Sequence, residues 1–274
     1  MTAELLGQGL LPWLGAYAVA GAVVGFLAGL LGIGGGMTLV PVLAALFAAQ
    51  QFAPDHAVHL ALATAMASIV FTSSASVREH HRHGAVDWAL VKVLAPGMVA
   101  GALLSTVVSG WIPQRLLALS FAAIVYAGAT QMMLGRKPQA HSRMPGPWGV
   151  GLAGLVMGTI CGLVSAGGAF LTVPFMLRFG VPMHRTIGTG AAVGVPVAVV
   201  GTVGYVISGW RVDALPDLSL GFVYLPALAA LVAGSVLTAP LGARAAHRLP
   251  VQTLKRVFAL LLYALATRML ISFW

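Results

Sequence analysis

The sequence predicts an all-α polytopic membrane protein made of two inverted repeats, each with four transmembrane helices and one short half-helix. Three observations predict this fold class: an apolar composition, a series of apolar runs of membrane-spanning length, and a glycine cluster that occurs once in each half. Of the 274 residues, 59% are hydrophobic and 8% are charged, whereas ordinary soluble domains carry roughly 25% charged residues. This composition excludes an ordinary soluble protein.

Eight apolar runs have about the 20 residues that a helix needs to cross a bilayer core. They cover residues 11–31, 57–77, 88–110, 114–134, 148–164, 186–208, 219–240 and 251–273. Two shorter apolar segments, Met37–Ala49 and Ala169–Phe179, follow the glycine clusters. They are predicted to be half-helices, because a helix rises only about 1.5 Å per residue and segments of this length are too short to cross the bilayer core upright. No Lys or Arg precedes the first run, so we expect it to stay as a transmembrane helix rather than be cleaved as a signal peptide.

An internal repeat divides the chain into two halves. A shift of 133 residues places Gly21, Gly25, Gly29, Gly34, Gly35 and Pro41 on Gly154, Gly158, Gly162, Gly167, Gly168 and Pro174. A shift of 125 places Thr64 and Gly84 on Thr189 and Gly209, and a shift of 137 places Pro113, Phe121, Tyr126, Thr130 and Met132 on Pro250, Phe258, Tyr263, Thr267 and Met269. We therefore expect one integral membrane domain with a first repeat (1–134), a polar cytoplasmic linker (135–147) and a second repeat (148–274).

The basic residues predict the orientation of the repeats, because cytoplasmic loops are enriched in Lys and Arg. Suppose that each half-helix ends on the side of the membrane where the preceding helix began. Each half then makes an odd number of net crossings, so the second repeat is inverted and both termini are periplasmic. Of the 15 Lys and Arg residues, only Arg115, Arg211 and Arg268 then lie outside. A parallel repeat would place equivalent loops on one side, yet residues 50–56 contain no Lys or Arg while the counterpart carries Arg178 and Arg185. Because the basic residues lie between apolar runs rather than on one polar face, we expect no nucleic-acid partner.

The glycine clusters are the strongest local signal for a binding site. Gly34, Gly35 and Gly36 in the first half, and Gly167 and Gly168 in the second, interrupt helices where lipid offers no hydrogen bonds. Such breaks are tolerated only inside the protein or beside a water-filled cavity. The half-helix that starts at each break exposes backbone N–H groups and the positive end of its dipole, which favours a small anion.

The glycines at four-residue spacing have a different predicted role. Gly21, Gly25 and Gly29, with their counterparts in the second half, allow two helices to approach closely. We expect them to pack helices together rather than to bind substrate.

Hydroxyl side chains near the breaks are further candidates. Thr64 and Thr189 occupy equivalent positions on the helices after the half-helices, where they would donate to an anion or bond back to their own helix. With Thr64, the residues Ser68 and Thr72 recur every four positions and form one polar face of a helix. These side chains either line a transport pathway or mediate a helix contact. The remaining candidate pathway-lining residues are Thr38, Ser165 and Thr172.

Histidines and acidic residues bear on catalysis and ion coupling. His59 lies in the first turn of a membrane helix and is a candidate for proton handling, with an interfacial histidine as the alternative. The segment His80 to His83 resembles a metal site, but we expect solvated residues there and no metal site or cofactor. No Asp or Glu lies centrally in an apolar run, and there is no GxxxxGK[ST] motif. The chain is therefore not expected to be an enzyme or an ATP-driven pump.

The sequence resembles the TauE/SafE sulfite exporter family over nearly its whole length. The resemblance rests on the segments GFLAGLLGIGGGMTLVPVL, HLALATAMASIVFTSSASVREHHRHGAVDW and GTICGLVSAGGAFLTVPF. It implies a multi-pass transporter of the bacterial inner membrane that moves sulfite, a sulfonate or a related oxyanion. Where the family often has Thr-Ser, this chain has Thr64-Ala65 and Thr189-Gly190. One expected hydroxyl is thus missing from each half.

The predicted function is secondary transport, with export expected, of a small sulfur-containing anion such as sulfite or an organosulfonate. The coupling ion, a proton or sodium, is left open, and a homodimer is a further possibility. Two alternatives remain at this stage. One is an anion channel of the same architecture, and the other is a membrane-embedded metal enzyme that uses the His80 to His83 segment.

Overall fold

Ten helices and one short hairpin form the described part of the chain, which in this computed structural model comprises residues 10–31, 35–134, 144–246 and 251–273. Gly34 and most of the predicted linker lie outside these residues. The helices are α1 (Leu10–Leu31), α2 (Gly36–Ala49), α3 (Ala57–Arg82), α4 (Trp88–Ser109), α5 (Gln114–Leu134), α6 (Pro147–Leu163), α7 (Ala169–Arg178), α8 (Met183–Gly209), α9 (Leu225–Ala246) and α10 (Val251–Phe273). Strands β1 (Ser219–Leu220) and β2 (Val223–Tyr224) pair between α8 and α9.

The structure confirms an all-α polytopic membrane protein. By length and composition, seven of the described helices can cross a membrane: α1, α3, α4, α5, α8, α9 and α10. Helix α6, predicted as a further full crossing, has 17 residues and rises only about 26 Å. A typical hydrocarbon core is about 30 Å thick. Helix α6 is therefore a short crossing at best.

The start of α9 differs from the predicted apolar run 219–240. Residues 219–224 form the hairpin, and the helix begins at Leu225. Leu218 (φ 65°) and Gly221 (φ 53°) are left-handed, a conformation that residues within a right-handed helix do not adopt. As a result Phe222 and Tyr224 turn inward, with 0% and 3% of their surfaces exposed.

The two predicted half-helices are confirmed as α2, with 14 residues, and α7, with 10 residues. Gly35, which precedes α2, has φ 71°, a backbone conformation that glycine adopts readily and other residues rarely do. A proline occupies the sixth position of each half-helix, Pro41 in α2 and Pro174 in α7. Proline cannot donate a backbone hydrogen bond, so both half-helices have a gap at the same point of their hydrogen-bond ladders.

The two halves of the chain interlock, because α1 packs mainly on α9 and α6 packs mainly on α4. A Cβ atom on Gly21 would lie 2.4 Å from the Leu231 carbonyl oxygen of α9. A Cβ atom on Gly158 would lie 2.1 Å from the Met98 carbonyl oxygen of α4. Only glycine permits this approach of backbones, as the four-residue spacing predicted.

Helices α5 and α10 run antiparallel and are joined by two reciprocal side-chain hydrogen bonds. The Tyr126 hydroxyl bonds to the Thr267 hydroxyl, and the Thr130 hydroxyl bonds to the Tyr263 hydroxyl. The rings of Tyr126 and Tyr263 are 5.4 Å apart. Tyr126 and Tyr263, like Thr130 and Thr267, are equivalent positions of the sequence repeat, so each half contributes the same two side chains to this contact. Helices α3 and α8, also equivalent, pack together in the interior.

Candidate functional site

The two glycine breaks touch each other in the interior of the protein. A Cβ atom on Gly36 would lie 2.0 Å from the Ser165 carbonyl oxygen and 2.7 Å from Ile69 Cδ1. No side chain fits in that space, so glycine at this position allows the backbones of the two breaks to meet. The N-terminal ends of α2 and α7 therefore converge on one point.

The second break is packed tightly against α8. A Cβ atom on Gly168 would lie 2.7 Å from the Gly194 nitrogen and 2.8 Å from the Gly190 carbonyl oxygen. Ser165, fully buried and left-handed at φ 48°, donates its hydroxyl to the Leu62 carbonyl oxygen of α3 at 2.7 Å. Backbone strain of this kind persists where the surrounding structure enforces it. Gly167 is buried beside these residues.

Backbone dipoles dominate the electrostatics of the two breaks. None of the Asp, Glu, Lys and Arg side chains whose burial the structure describes, which leaves out residues 243–255, is buried. The first backbone hydrogen bonds of α7 run from Phe170 N–H to Gly167 O (3.0 Å) and from Thr172 N–H to Gly168 O (3.3 Å). The N–H groups of Gly168 and Ala169 thus precede the ladder of the helix. Two helix N-termini facing each other in an apolar interior produce a positive potential suited to an anion.

Thr38 and Thr172 stabilise the starts of the half-helices. The Thr38 hydroxyl donates to the Gly35 carbonyl oxygen at 2.7 Å, and the Thr172 hydroxyl donates to the Gly168 carbonyl oxygen at 2.8 Å. Both side chains are buried. Their hydroxyl hydrogens are used within the half-helices, although their lone pairs remain available to a donor.

Thr64 and Thr189 join the two halves of the chain rather than bonding back to their own helices. The Thr64 oxygen accepts the Tyr224 N–H at 3.1 Å, and the Thr189 oxygen accepts the Asp87 N–H at 2.9 Å. Both threonines are fully buried. Tyr224 precedes α9 and Asp87 precedes α4, which are equivalent helices. The two bonds are thus counterparts, each anchoring the start of a helix from the other half.

A small cavity of about 10 Å³ lies beside the first break, with room for about one water molecule. It is bounded by α1, α3, α9 and the first break; its lining includes Gly35, Ser68, Thr72 and Ser235. The Ser68 and Thr72 hydroxyls donate to carbonyls of α3 at 2.8 and 3.3 Å. The predicted polar face of α3 thus meets the first break, whereas Thr64 and the second break do not line this cavity.

Several residues of the site were not predicted from the sequence. Ser235 lines the cavity from α9, and neither the repeat nor a motif marks it. Gly190 and Gly194 of α8 contact the second break. Their four-residue spacing is the sequence signal that could have identified them. Backbone groups such as the Tyr224 N–H carry no sequence signal.

The predicted histidine sites lie away from the breaks. His59 is 2% exposed and contacts carbonyls at the end of α4. The His83 Nδ1 lies 2.9 Å from the Glu79 carbonyl oxygen, and His81 accepts the Trp88 indole N–H at 3.3 Å. Within the described ranges, no three His, Cys, Asp or Glu side chains gather closely enough to hold a metal ion.

Comparison with known proteins decides the family. The description "Sulfite exporter TauE/SafE" applies to a family whose sequence profile matches residues 17–269. The chain belongs to the TauE/SafE family. This confirms the resemblance drawn from the glycine segments.

The curated relatives of this TauE/SafE member are described as transporters. A "Probable membrane transporter protein" of Haemophilus influenzae is 35% identical over 255 residues, covering 93% of this chain and 97% of the relative. The "Probable membrane transporter protein YdhB" of Bacillus subtilis is 24% identical over 240 residues, covering 85% and 90%. No solved structure matches the chain. The protein is thus a multi-pass membrane transporter of the TauE/SafE type.

Proposed function

We propose that this protein is a secondary transporter of a small sulfur-containing anion, such as sulfite or an organosulfonate, across the bacterial inner membrane. One observation carries the proposal: the N-termini of α2 and α7 converge at the contact between Gly36 and Ser165, in an interior where no described charged side chain is buried. A positive potential made of backbone dipoles attracts an anion, yet it binds less tightly than a buried Arg would and so permits release. The Gly34 to Gly36 and Gly167 to Gly168 backbones are the proposed ligands.

We infer that the halves 1–134 and 148–274 are inverted repeats joined by the linker 135–147. The antiparallel α5–α10 pair supports the inversion, because the equivalent helices of a parallel repeat would run in the same direction. The counterpart bonds of Thr64 and Thr189 support the relation between the two halves. The distribution of Lys and Arg supports periplasmic termini.

The cavity beside the first break supports alternating access. At about 10 Å³ it holds about one water molecule, and sulfite is several times larger. An anion can bind there only if the halves move apart. Glycine contacts such as Gly21 with Leu231 and Gly158 with Met98 would let helices slide without interlocked side chains. Movement of one repeat against the other is a general mechanism of inverted-repeat transporters.

The test is counterflow of radiolabelled sulfite in proteoliposomes containing the purified full-length protein. We expect saturable exchange in the wild type and loss of exchange in Gly35→Val, because the left-handed backbone and Val24 Cγ1, 2.8 Å from a Cβ atom, exclude a side chain. Gly15→Val is the matched control, since a Cβ atom on Gly15 meets nothing within 4 Å.

Two results would overturn the proposal. Undiminished exchange by folded Gly35→Val would remove the first break from the site. Single-channel conductance on a planar bilayer, in place of saturable counterflow, would show an anion channel of the same architecture.

A further inference from the structure

Two histidines at the start of α3 each have a buried nitrogen without a hydrogen-bond partner. His59 Nε2 lies 3.0 Å from the Ser109 carbonyl oxygen and 3.1 Å from the Ile112 carbonyl oxygen. Carbonyl oxygens only accept hydrogen bonds, so Nε2 must carry a hydrogen, and in the neutral ring Nδ1 then carries a lone pair. This Nδ1 is buried and makes no hydrogen bond to any described residue.

The second histidine, His56, faces the first. The ring centroids of His56 and His59 are 5.3 Å apart, and the rings are inclined at 68°. His56 Nδ1 is also buried and lacks a hydrogen-bond partner among the described residues. Phe222 covers both rings, with centroid distances of 4.9 Å to His59 and 5.6 Å to His56. Buried polar atoms almost always have a partner, so two such nitrogens in one apolar pocket indicate a missing ligand.

We propose that His56 and His59 form a proton-binding site that couples transport to a proton gradient. A proton from water adds to the lone pair of His59 Nδ1, and the ring becomes an imidazolium with a hydrogen on each nitrogen. Nε2–H keeps its two carbonyl acceptors, and the His56 ring, with its centroid 5.3 Å from that of His59, is the neighbouring titratable group. Release returns the proton to water, so no further reactant is required. This inference rests on the proposed transport function, for which the proton is the coupling ion.

His56 is the titratable side chain in ring contact with His59. The end of α4 supplies two carbonyls and the segment before α9 supplies Phe222. Burial, and then the charge of Asp217, raise the pKa of nearby Tyr224, which keeps that hydroxyl neutral. The charged side chains of these segments are exposed, namely Asp55, Arg115, Arg211, Asp213 and Asp217.

An open cavity of about 610 Å³ lies next to this pair in sequence; its lining includes Phe52, Pro54, Gln114 and Arg115, and neither histidine is part of it. Half-buried His56 lies on the same loop, residues 50–56. This loop continues directly from α2, whose other end is the first glycine break. In sequence, the proposed proton site therefore follows the C-terminal end of α2, and the proposed anion site lies at its N-terminal end.

The repeat supplies a matched control. The shift of 125 residues that relates Thr64 to Thr189 also relates His59 to His184, in the first turn of α8. His184 is exposed, whereas His59 is 2% exposed. The proposed proton site thus exists in one half of the molecule only.

The experiment combines a proton-binding measurement with two transport assays on the full-length protein. Histidine-selective NMR of the detergent-solubilised protein should show a titrating resonance that is present in wild type and His184→Gln and absent in His59→Gln. In proteoliposomes with the membrane potential clamped, His59→Gln should accumulate sulfite under a pH gradient about tenfold less than wild type. Counterflow at equal pH should be unchanged in His184→Gln, the matched control, because His184 is exposed and lies outside the proposed proton site.

His56→Gln is the second variant and does not depend on the folding of His59→Gln. It should shift the pH at which the His59 resonance titrates, because it removes the titratable ring that packs against His59. A His59 resonance that does not titrate while the protein stays folded would overturn the proposal, and so would full gradient-driven accumulation by His59→Gln. Absence of counterflow in the wild type would instead refute sulfite transport, while the NMR titration would still decide the proton site.

Discussion

The two glycine breaks occupy equivalent positions of the repeat but have different surroundings. The first break, at Gly35 and Gly36, borders a cavity with the hydroxyl-bearing residues Ser68, Thr72 and Ser235. The second, at Gly168, is filled by the backbone of α8 at Gly190 and Gly194. Positions that are equivalent in the sequence repeat therefore do not have the same free volume around them in the structure. In this conformation the first break borders free space for the proposed anion site, while the second break is in close contact with backbone atoms.

The largest expected effect follows from the packing of the second break. Gly168→Val should prevent folding, since even a Cβ atom would lie 2.7 Å from the Gly194 nitrogen and 2.8 Å from the Gly190 carbonyl oxygen. Backbone atoms cannot move aside as a flexible side chain can. The measurement is the yield of monodisperse protein in size-exclusion chromatography, with Gly15→Val as control. Normal yield with normal flux would show that the second break is as open as the first.

An intermediate effect is expected from filling the cavity at the first break. Ser235→Leu adds apolar volume between α1 and α9, so sulfite exchange should fall about tenfold or more while the protein stays folded. Sulfite exchange in proteoliposomes and thermal unfolding would be measured together. Leu237→Ser, at an exposed position of α9, is the control for a change of polarity on the same helix. Unchanged exchange by Ser235→Leu would separate this cavity from the pathway.

The smallest expected effect concerns the counterpart hydrogen bonds of Thr64 and Thr189, one of which each half accepts. Thr64→Val and Thr189→Val each leave one backbone N–H, of Tyr224 or Asp87, without its acceptor. Hydrogen bonds between membrane helices contribute about 1 kcal/mol, and a change of that size lowers Tm by about 2–4 °C in a chain of this length. Thermal unfolding of both variants would be compared. A large loss in one variant and none in the other would show that the two bonds are not counterparts.

The half-helices and the close helix contacts could be predicted because their causes are local. Contiguous glycines such as Gly35 and Gly36 destabilise a continuous helix, and glycines four residues apart form one small-residue face. The start of α9 could not be predicted, because residues 219–224 are as apolar as the transmembrane run that follows them. Their hairpin depends on the left-handed backbone at Leu218 and Gly221, which composition does not reveal. The role of Thr64 could not be predicted either, because its hydrogen-bond partner is the backbone N–H of Tyr224, which is distant in sequence.

The sequence by itself determined the class of protein, the number and order of its apolar segments, the repeat and the family. These properties depend on composition, run length and spacing, which do not require knowledge of contacts. Only the tertiary structure decided that the two breaks meet, that one borders a cavity and the other is filled, and that His56 lies beside His59. Such features depend on which distant residues become neighbours. Packing in three dimensions sets those distances, and two segments that are equivalent in sequence can meet different partners.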